Sequence, residues 1–428
     1  MNVILYHTLS TLISPLMALG FFICSRFTRH KREHLAEHFG AMPASPADKE
    51  TVWLHALSLG EVVAAGPVLK EIRTLRPEAR LVVSVTTDSG YEGAEQHLPM
   101  ADLVVFHPLD CWPFTHRALD AINPGVFVLT DTGFWPGLLA LLKQRNIPAA
   151  LFNGRISRRS LRRYKMLGPL ARSLLGFFDL LCMQDGDGRE AAIALGADPE
   201  RVLVLGDPKY DAVTPLSEDE RAALRQKLKI RDKVPVWVAG STHAGEEEIV
   251  LSVYRALKAR DADLVLILAP RRRERVAEVA SLLTMRGVPF TLRSRIGEDA
   301  GLNEDVILVD TMGELAQLYS IASAAFVGNS LLSPGGGHSL IEPLSYALPV
   351  LHGPFIDNVR HVAGPLKEAG LAHPVETPAE MQETLQKLLW APADGERAER
   401  ARALLKEYQG ASRCMAEHIL KLWASGNR

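Results

Sequence analysis

Thr51-Val52-Trp53-Leu54-His55-Ala56, followed by Leu57-Ser58-Leu59-Gly60-Glu61 and a helical pattern reaching Leu75, is the stretch that decides the fold. A short apolar run, a polar turn and an amphipathic segment form the strand–turn–helix unit of a buried parallel sheet. Outward from it the same unit repeats. Further apolar runs are Arg80–Thr86, Asp102–Phe106, Gly125–Leu129, Ile147–Phe152, Asp179–Met183 and Arg201–Leu205, with helical segments such as Gly137–Arg145 between them. A polar stretch from Leu216 to Lys233 interrupts the pattern. It resumes with Val234–Ala239, Asp263–Ala269, Val288–Leu292, Asp305–Val309, Ala322–Val327 and Leu348–His352. The grammar predicts two doubly wound α/β domains in tandem, at 41–215 and 234–428, joined by a linker at 216–233. Ligands in such sheets bind at the carboxyl ends of the strands, so the cleft between two facing domains is the expected site. The last segment, Pro392–Trp423, reads as helical and free to pack back across the domain junction.

A chain of 428 residues is long enough for two such domains. Its 23% charged and 47% hydrophobic content excludes a disordered polymer. A net charge of -2, from 48 basic and 50 acidic residues, gives no global positive field, and nucleic acid is not expected as a partner. Cysteines 24, 111, 182 and 414 are too scattered for a zinc knuckle or a redox pair, which suits a reduced compartment. The sequence has neither a G-x-x-x-x-G-K-[ST] loop nor a strand-anchored G-x-G-x-x-G, so the usual signatures of ATP hydrolysis and NAD binding are missing. The Asp-x-Asp tripeptides Asp185–Asp187 and Asp261–Asp263 sit in turn contexts and lack the further oxygen ligands of a metal site. No metal and no cofactor are expected.

Val3 to Cys24 carry no Asp, Glu, Lys or Arg, and Arg26, Arg29, Lys31 and Arg32 follow. The run has about the 20 residues that cross a bilayer as a helix. His7, Ser10, Ser14, Pro15 and Gly20 weaken it as a span, and a helix lying in the interface is the alternative. Lacking a basic stretch in front and a small-residue cleavage site behind, it does not read as a secretory signal. Residues 1–40 are expected to hold the chain against membrane lipids, and the basic flank places the rest on the cytoplasmic side of an inner membrane.

Polar residues collect where the predicted strands end. Ser58, Gly60 and Glu61 follow the first strand and open a helix. Gly60 permits a tight turn, and the helix N-terminus beyond it favours an anion. Glu61 is either a first-turn residue stabilised by the helix dipole or a general base; spacing alone favours the former. Arg155, Arg158, Arg159, Arg162 and Arg163 crowd nine residues after the fifth strand. Arginine forks suit phosphates. Arg155, nearest the strand end, is the functional candidate, and Arg162 and Arg163 read as surface. In the second half Gly240-Ser241-Thr242-His243-Ala244-Gly245, Pro270-Arg271, Asp310-Thr311-Met312-Gly313-Glu314 and Gly328-Asn329 occupy equivalent places. Pro334-Gly335-Gly336-Gly337-His338 leads to Glu342, and three consecutive glycines let a phosphate approach backbone amides, with Glu342 suited to a ribose diol.

These pieces together resemble the 3-deoxy-D-manno-octulosonic acid (Kdo) transferases of lipopolysaccharide synthesis. The resemblance rests on His55-Ala-Leu-Ser-Leu-Gly-Glu61, Asn153-Gly-Arg155, Gly206-Asp-Pro-Lys209-Tyr-Asp211, Ala239-Gly-Ser-Thr-His-Ala-Gly-Glu-Glu-Glu248, Pro270-Arg271, Asp310-Thr-Met-Gly-Glu314 and Gly336-Gly-His338…Glu342-Pro343, in order along the chain. It implies a GT-B fold of two Rossmann-like domains facing a cleft, with an N-terminal membrane anchor. It also implies a CMP-Kdo donor, a lipid A precursor as acceptor and no metal. Glu61 would be the catalytic base in an acceptor-side domain. Ser241, Thr242, His243, Arg271, Gly313, Glu314, Asn329, Gly335, Gly336, Gly337, His338 and Glu342 would hold the donor. Ser58, Gly60, Arg155 and Lys209 would meet acceptor or phosphate.

The chain departs from the family pattern in three places. Where M-E-T-E-L-W-P-N is usual it has Thr130-Asp131-Thr132-Gly133-Phe134-Trp135-Pro136-Gly137, which shortens one acidic side chain and removes another. Arg272 stands in place of a histidine after Pro-Arg, and Ser339 in place of an asparagine after Gly-Gly-His. The alternatives are a GT-B transferase with another nucleotide sugar or acceptor, an epimerase of the same two-domain fold, and an inactive membrane-bound paralogue.

Overall fold

The computed structural model describes residues 3–25, 33–46, 50–260, 263–297, 304–392 and 394–426. The basic flank Arg26, Arg29, Lys31 and Arg32, and Asp261 of the second Asp-x-Asp, lie outside them. The chain divides into two compact units, Met1–Ala212 with Tyr408–Arg428, and Val213–Glu407.

The first unit holds β1 (Thr51–Ala56), β2 (Arg80–Val85), β3 (Leu103–Phe106), β4 (Val126–Thr130), β5 (Ala149–Gly154), β6 (Leu180–Met183) and β7 (Val202–Val204). All pair in parallel, in the order β3-β2-β1-β4-β5-β6-β7. Helices cover both faces, which is why the strands read as continuous apolar runs. Val52, Leu54 and Ala56 enter one core layer and Trp53 the other, following the two-residue period of a strand. Strand order reverses between β1 and β4, so the first unit's crevice opens at their carboxyl ends.

The second unit repeats the plan with β8 (Val236–Thr242), β9 (Val265–Pro270), β10 (Thr291–Leu292), β11 (Val306–Leu308), β12 (Ala324–Val327), β13 (Val350–His352) and β14 (Ala372–Pro374). The order is β10-β11-β9-β8-β12-β13-β14, again parallel. Its switch point lies between β8 and β12. The thirteen apolar runs read from the sequence each overlap a strand, and β4, β5, β8 and β9 extend one to three residues beyond theirs. The fourteenth strand was not legible, because Ala372-His373-Pro374 is three residues at a sheet edge, where proline is tolerated.

Two of the expected boundaries are corrected. The stretch 216–233 is not a bare linker. Ser217 and Glu220 form a reciprocal capping box on the helix Glu218–Lys227, and Leu228, Ile230 and Val234 enter the second unit's core. The second unit also ends before the C-terminus. In the last helix, Ala411–Gly426, residues Ala411, Met415, Ala416, Ile419 and Trp423 recur at helical spacing and pack into the first unit's core. Asp211 fixes the start of this helix by accepting the Gly410 N–H (2.6 Å) and the Ser412 N–H (2.7 Å).

The N-terminal helix Val3–Ser25 is docked by a mostly polar stripe. Tyr6 Oη donates to Asp110, and Ser10 Oγ accepts the Trp112 N–H at 3.4 Å. His7 and Ser14 are buried, and the Phe21 ring sits 4.3 Å from that of His38. The outward face is apolar, with Ile4 77%, Leu12 73% and Leu16 71% exposed. Among the described residues this is the one helix long and apolar enough to cross a membrane.

Candidate active site

In the first unit the site grows from the β1/β4 switch point. Ser58 has extended backbone (φ -140°, ψ 166°) and opens the helix Leu59–Leu75. Its carbonyl accepts the N–H groups of Glu61 and Val62, each at 3.0 Å. Glu61, in the first helical turn, folds back over this start. Its Oε2 accepts the Leu57 N–H at 2.6 Å, and Oε1 accepts the Ser58 hydroxyl at 3.3 Å. Both contacts are to residues that precede the helix, so the side chain pins the turn after β1 and caps no free helix amide.

Burial nevertheless pushes its carboxyl up to about 7. The Leu57 N–H opposes the rise, the Asp131 carboxylate adds to it and Lys209 lowers it. Desolvation thus outweighs the helix dipole, which by itself favours the ionised form. A carboxyl poised near neutrality has the basicity a proton acceptor needs.

Asp131 follows β4 with a left-handed backbone (φ 60°), and its Oδ1 accepts the Thr132 N–H at 2.7 Å. Lys209 lies on the short turn Pro208–Ala212 with an exposed side chain. Arg155, exposed after β5, is linked through its carbonyl to the Thr132 hydroxyl at 3.4 Å. Arg162 and Arg163 are exposed on the helix Arg158–Met166. Gly60 corrects an expectation. It is helical rather than left-handed, and a Cβ there would meet nothing within 4 Å, so the turn does not depend on glycine. Asp185 is likewise accounted for, capping the helix Gly186–Ala194 through the Gly188 N–H at 2.7 Å.

In the second unit Ser241 (φ 55°) interrupts the pairing of β8 with β9. Thr242 is fully buried, its carbonyl accepts the Arg271 N–H at 3.0 Å, and its hydroxyl has no partner among the described residues. The exposed Arg271 side chain leaves from the end of β9. His243 and His338 meet Nε2 to Nε2 at 3.2 Å, so one ring donates while the other accepts. Burial lowers both, with Arg271 and His243 adding to the effect on His338, which falls to about 4.

Gly335, Gly336 and Gly337 all have positive φ (49°, 138° and 79°). The amides of two of them, however, are already used. Gly336 N–H donates to the Phe355 carbonyl (3.0 Å) and Gly337 N–H to the Asn329 carbonyl (2.7 Å). This corrects the expectation that the whole run offers amides to a phosphate. The glycines are needed because side chains at these positions would strike Phe355, Asn358 and Val359.

Gly313 is exposed with φ 79°. Glu314 pairs with buried Arg293 at 2.8 Å and accepts the Thr311 hydroxyl. Asn329 follows β12 with φ 57°. Glu342 is half-buried on the short helix Ile341–Leu344, near enough to Tyr319 to help raise its hydroxyl, mainly a burial effect. Sequence reasoning missed Glu246, which is buried and accepts four backbone amides. Its position at a helix start carried no signal beyond an acidic first turn.

Residues 33–212 match the family described as 3-Deoxy-D-manno-octulosonic-acid transferase (kdotransferase). The chain is 34% identical over 352 residues to the 3-deoxy-D-manno-octulosonic acid transferase of Haemophilus influenzae, covering 81% of each chain. It is 30% identical to a probable mitochondrial 3-deoxy-D-manno-octulosonic acid transferase of Arabidopsis thaliana, covering 98% of this chain and 94% of that one. Among solved structures, the UDP-GlcNAc 2-epimerase of Neisseria meningitidis has a TM-score of 0.59 at 15% identity, over 87% of this chain and all of that one. That likeness shows the two-domain Rossmann-like fold.

Proposed function

The chain belongs to the 3-deoxy-D-manno-octulosonic acid transferases, a family of glycosyltransferases, and we propose that it moves Kdo from CMP-Kdo to a hydroxyl of a lipid A precursor. The observation that carries the mechanism is Glu61, half-buried at the carboxyl end of β1 with its carboxyl raised to about 7. The acceptor oxygen attacks the anomeric carbon of the donor sugar. Its proton passes to Glu61, and the bond from that carbon to the phosphate oxygen breaks with CMP as leaving group. Lys209 keeps part of the Glu61 population ionised and meets the acidic groups of either substrate.

The donor's phosphate charge is met by Arg271 and by the polar loops after β8 and β12, and the ribose diol by Glu342. Such a donor set neutralises the leaving phosphate with protein groups, and the reaction is expected to proceed in a chelator. The helix Val3–Ser25, apolar outward, holds the enzyme on the membrane that carries the acceptor, on the cytoplasmic face of the inner membrane.

The test is incubation with CMP-Kdo and lipid A precursor, with EDTA present, read by mass spectrometry. A mass gain of one or more Kdo units supports the reading. A lipid left unmodified, under conditions where the protein binds CMP, points to the inactive paralogue. Preference for UDP over CMP points to another nucleotide sugar.

A further inference from the structure

Glu246 is 1% exposed, yet it is surrounded by N–H donors from two separate strand ends. Oε2 accepts His243 N–H after β8 and Asn329 N–H after β12, both at 2.8 Å. Oε1 accepts Ser330 N–H and Leu331 N–H, both at 2.9 Å. Four amides on one carboxylate satisfy it fully and tie together the two loops that open the second unit's switch point. The backbone between them is close-packed. A Cβ on Gly328 would lie 2.6 Å from the Ser241 carbonyl oxygen and 2.7 Å from Glu246 Oε2. Ser241 and Asn329 both carry left-handed backbone (φ 55° and 57°), a conformation uncommon for serine and more readily taken by asparagine.

Glu247 and Glu248, the next two residues, have different work. Glu247 holds Arg275 at 2.6 Å and Glu248 holds Arg286 at 2.6 Å, both away from this junction. The three acidic residues opening the helix Glu246–Lys258 are therefore not equivalent, and one of them alone joins the loops.

We infer that Glu246 is the positioning residue of the nucleotide site: its carboxylate clamps the loop after β8 to the loop after β12 in the arrangement that receives the donor's nucleotide. This rests on the proposal that these loops bind CMP. Glu246 touches neither the reacting atoms nor the nucleotide. It acts through the backbone that presents Ser241, Thr242, His243 and Asn329. When the clamp is weakened the loops populate other arrangements, and the apparent affinity falls by the fraction that remains competent.

Glu246→Gln is the direct test. One end of the amide is then an N–H₂ facing two N–H donors, so two of the four contacts are lost whichever way it flips. In the full-length protein, hydrogen exchange is expected to quicken at 241–246 and 328–331, with CMP affinity down about 10- to 100-fold. Both are read well below the melting temperature, so that all molecules are folded. The donor KM should rise by a similar factor, and kcat should change less.

A lower melting temperature with unchanged CMP affinity would mark a purely structural carboxylate and overturn the inference. Unchanged exchange in both segments would overturn the clamp itself. If wild-type protein does not bind CMP, the donor reading fails and the nucleotide role falls with it, while exchange still reports whether the loops are clamped. Should Glu246→Gln fail to fold, Gly328→Ala keeps the carboxylate's charge but crowds both it and the Ser241 carbonyl, and so forces the same loops apart. It must weaken CMP to a similar extent, and wild-type affinity in that variant overturns the proposal.

Discussion

Tyr6 Oη donates to Asp110 Oδ2 at 2.8 Å, and the same carboxylate accepts the N–H groups of Gly137 and Leu138, each at 2.8 Å. One half-buried side chain thus fastens the N-terminal helix to the start of the helix Pro136–Gln144. That helix closes the segment descending from Thr130 and Asp131, beside Glu61. The N-terminal helix is built into the first unit. Tyr6→Phe should cost about 0.5–1.5 kcal/mol, one net hydrogen bond, because two amides still satisfy Asp110. Asp110→Asn should cost more, since it weakens the cap of Pro136–Gln144 as well. Thermal melts in detergent compare the two, and equal effects would remove Asp110 from this double role.

Location follows from the same helix. A chain starting near Ala41 loses the apolar outward face of Ile4, Leu12 and Leu16. It is expected in the soluble fraction after cell lysis, with full-length protein in the membrane pellet. It should also melt at a lower temperature, because the surface under Tyr6, Ser14 and Phe21 becomes uncovered. Equal partitioning of both without detergent would refute the membrane role.

The fold was legible because buried parallel strands announce themselves. Thr51–Ala56 and Val236–Ala239 are apolar on both faces, a pattern that few other structures produce. The last helix was harder to place. Its apolar stripe of Met415, Ile419 and Trp423 specifies a helix with a buried face but does not say against which core. The candidate site was legible as strand ends, not as bonds. Glu61 and His338 could be located from sequence. Whether the Gly336 and Gly337 amides were open to a ligand depended on carbonyls contributed by Phe355 and Asn329. Glu246 was hidden because three of its four partners lie 83 to 85 residues away.

Acid should weaken the first unit. His55 and His107 are buried with ring centroids 3.8 Å apart, and burial pushes His55 down to about 3 and His107 well below its usual range. Both are neutral when folded and take up protons once unfolded. Their contribution is fully present above about 6.5, the ordinary histidine value, and is lost as pH falls toward 3. Glu61 works the other way. Its folded value near 7 exceeds the unfolded 4.5, so its contribution grows as pH falls through 7 to 4.5. Melting temperature against pH should therefore fall more steeply on the acid side in Glu61→Gln than in wild type. Superimposable curves would contradict the burial-raised Glu61.

The base assignment gives a second pH test, on rate. Glu61 must be ionised to accept the acceptor's proton, so wild-type kcat/KM should rise with pH and level off above about 7. Glu61→Gln keeps the size and most hydrogen bonds but has no basic form. Turnover is expected to fall about 10²- to 10⁴-fold, and the residual rate should lose the rise near 7. CMP affinity should hold, because the loops proposed to bind the nucleotide belong to the other unit. Near-wild-type turnover would leave Glu61 with a structural role alone, pinning the turn after β1 through its contacts with Leu57 and Ser58.

Glu342 provides the test of the nucleoside end. It is half-buried, and its carboxylate is suited to accept two hydroxyl donors of a ribose. Glu342→Ala removes both acceptors, and a ribose bound in its place would leave hydroxyls unpaired. CMP binding by calorimetry should weaken by about 1–3 kcal/mol, the usual loss when polar partners are stranded. A 2′-deoxy analogue of CMP separates the ribose contact from a general loss of fold. Wild type should bind the deoxy compound less tightly than CMP, whereas Glu342→Ala should bind the two alike. If the variant still discriminates as wild type does, the ribose is read by another residue. If it loses affinity for both equally while keeping the discrimination, Glu342 acts on the fold of the loop after Gly337 and not on the sugar.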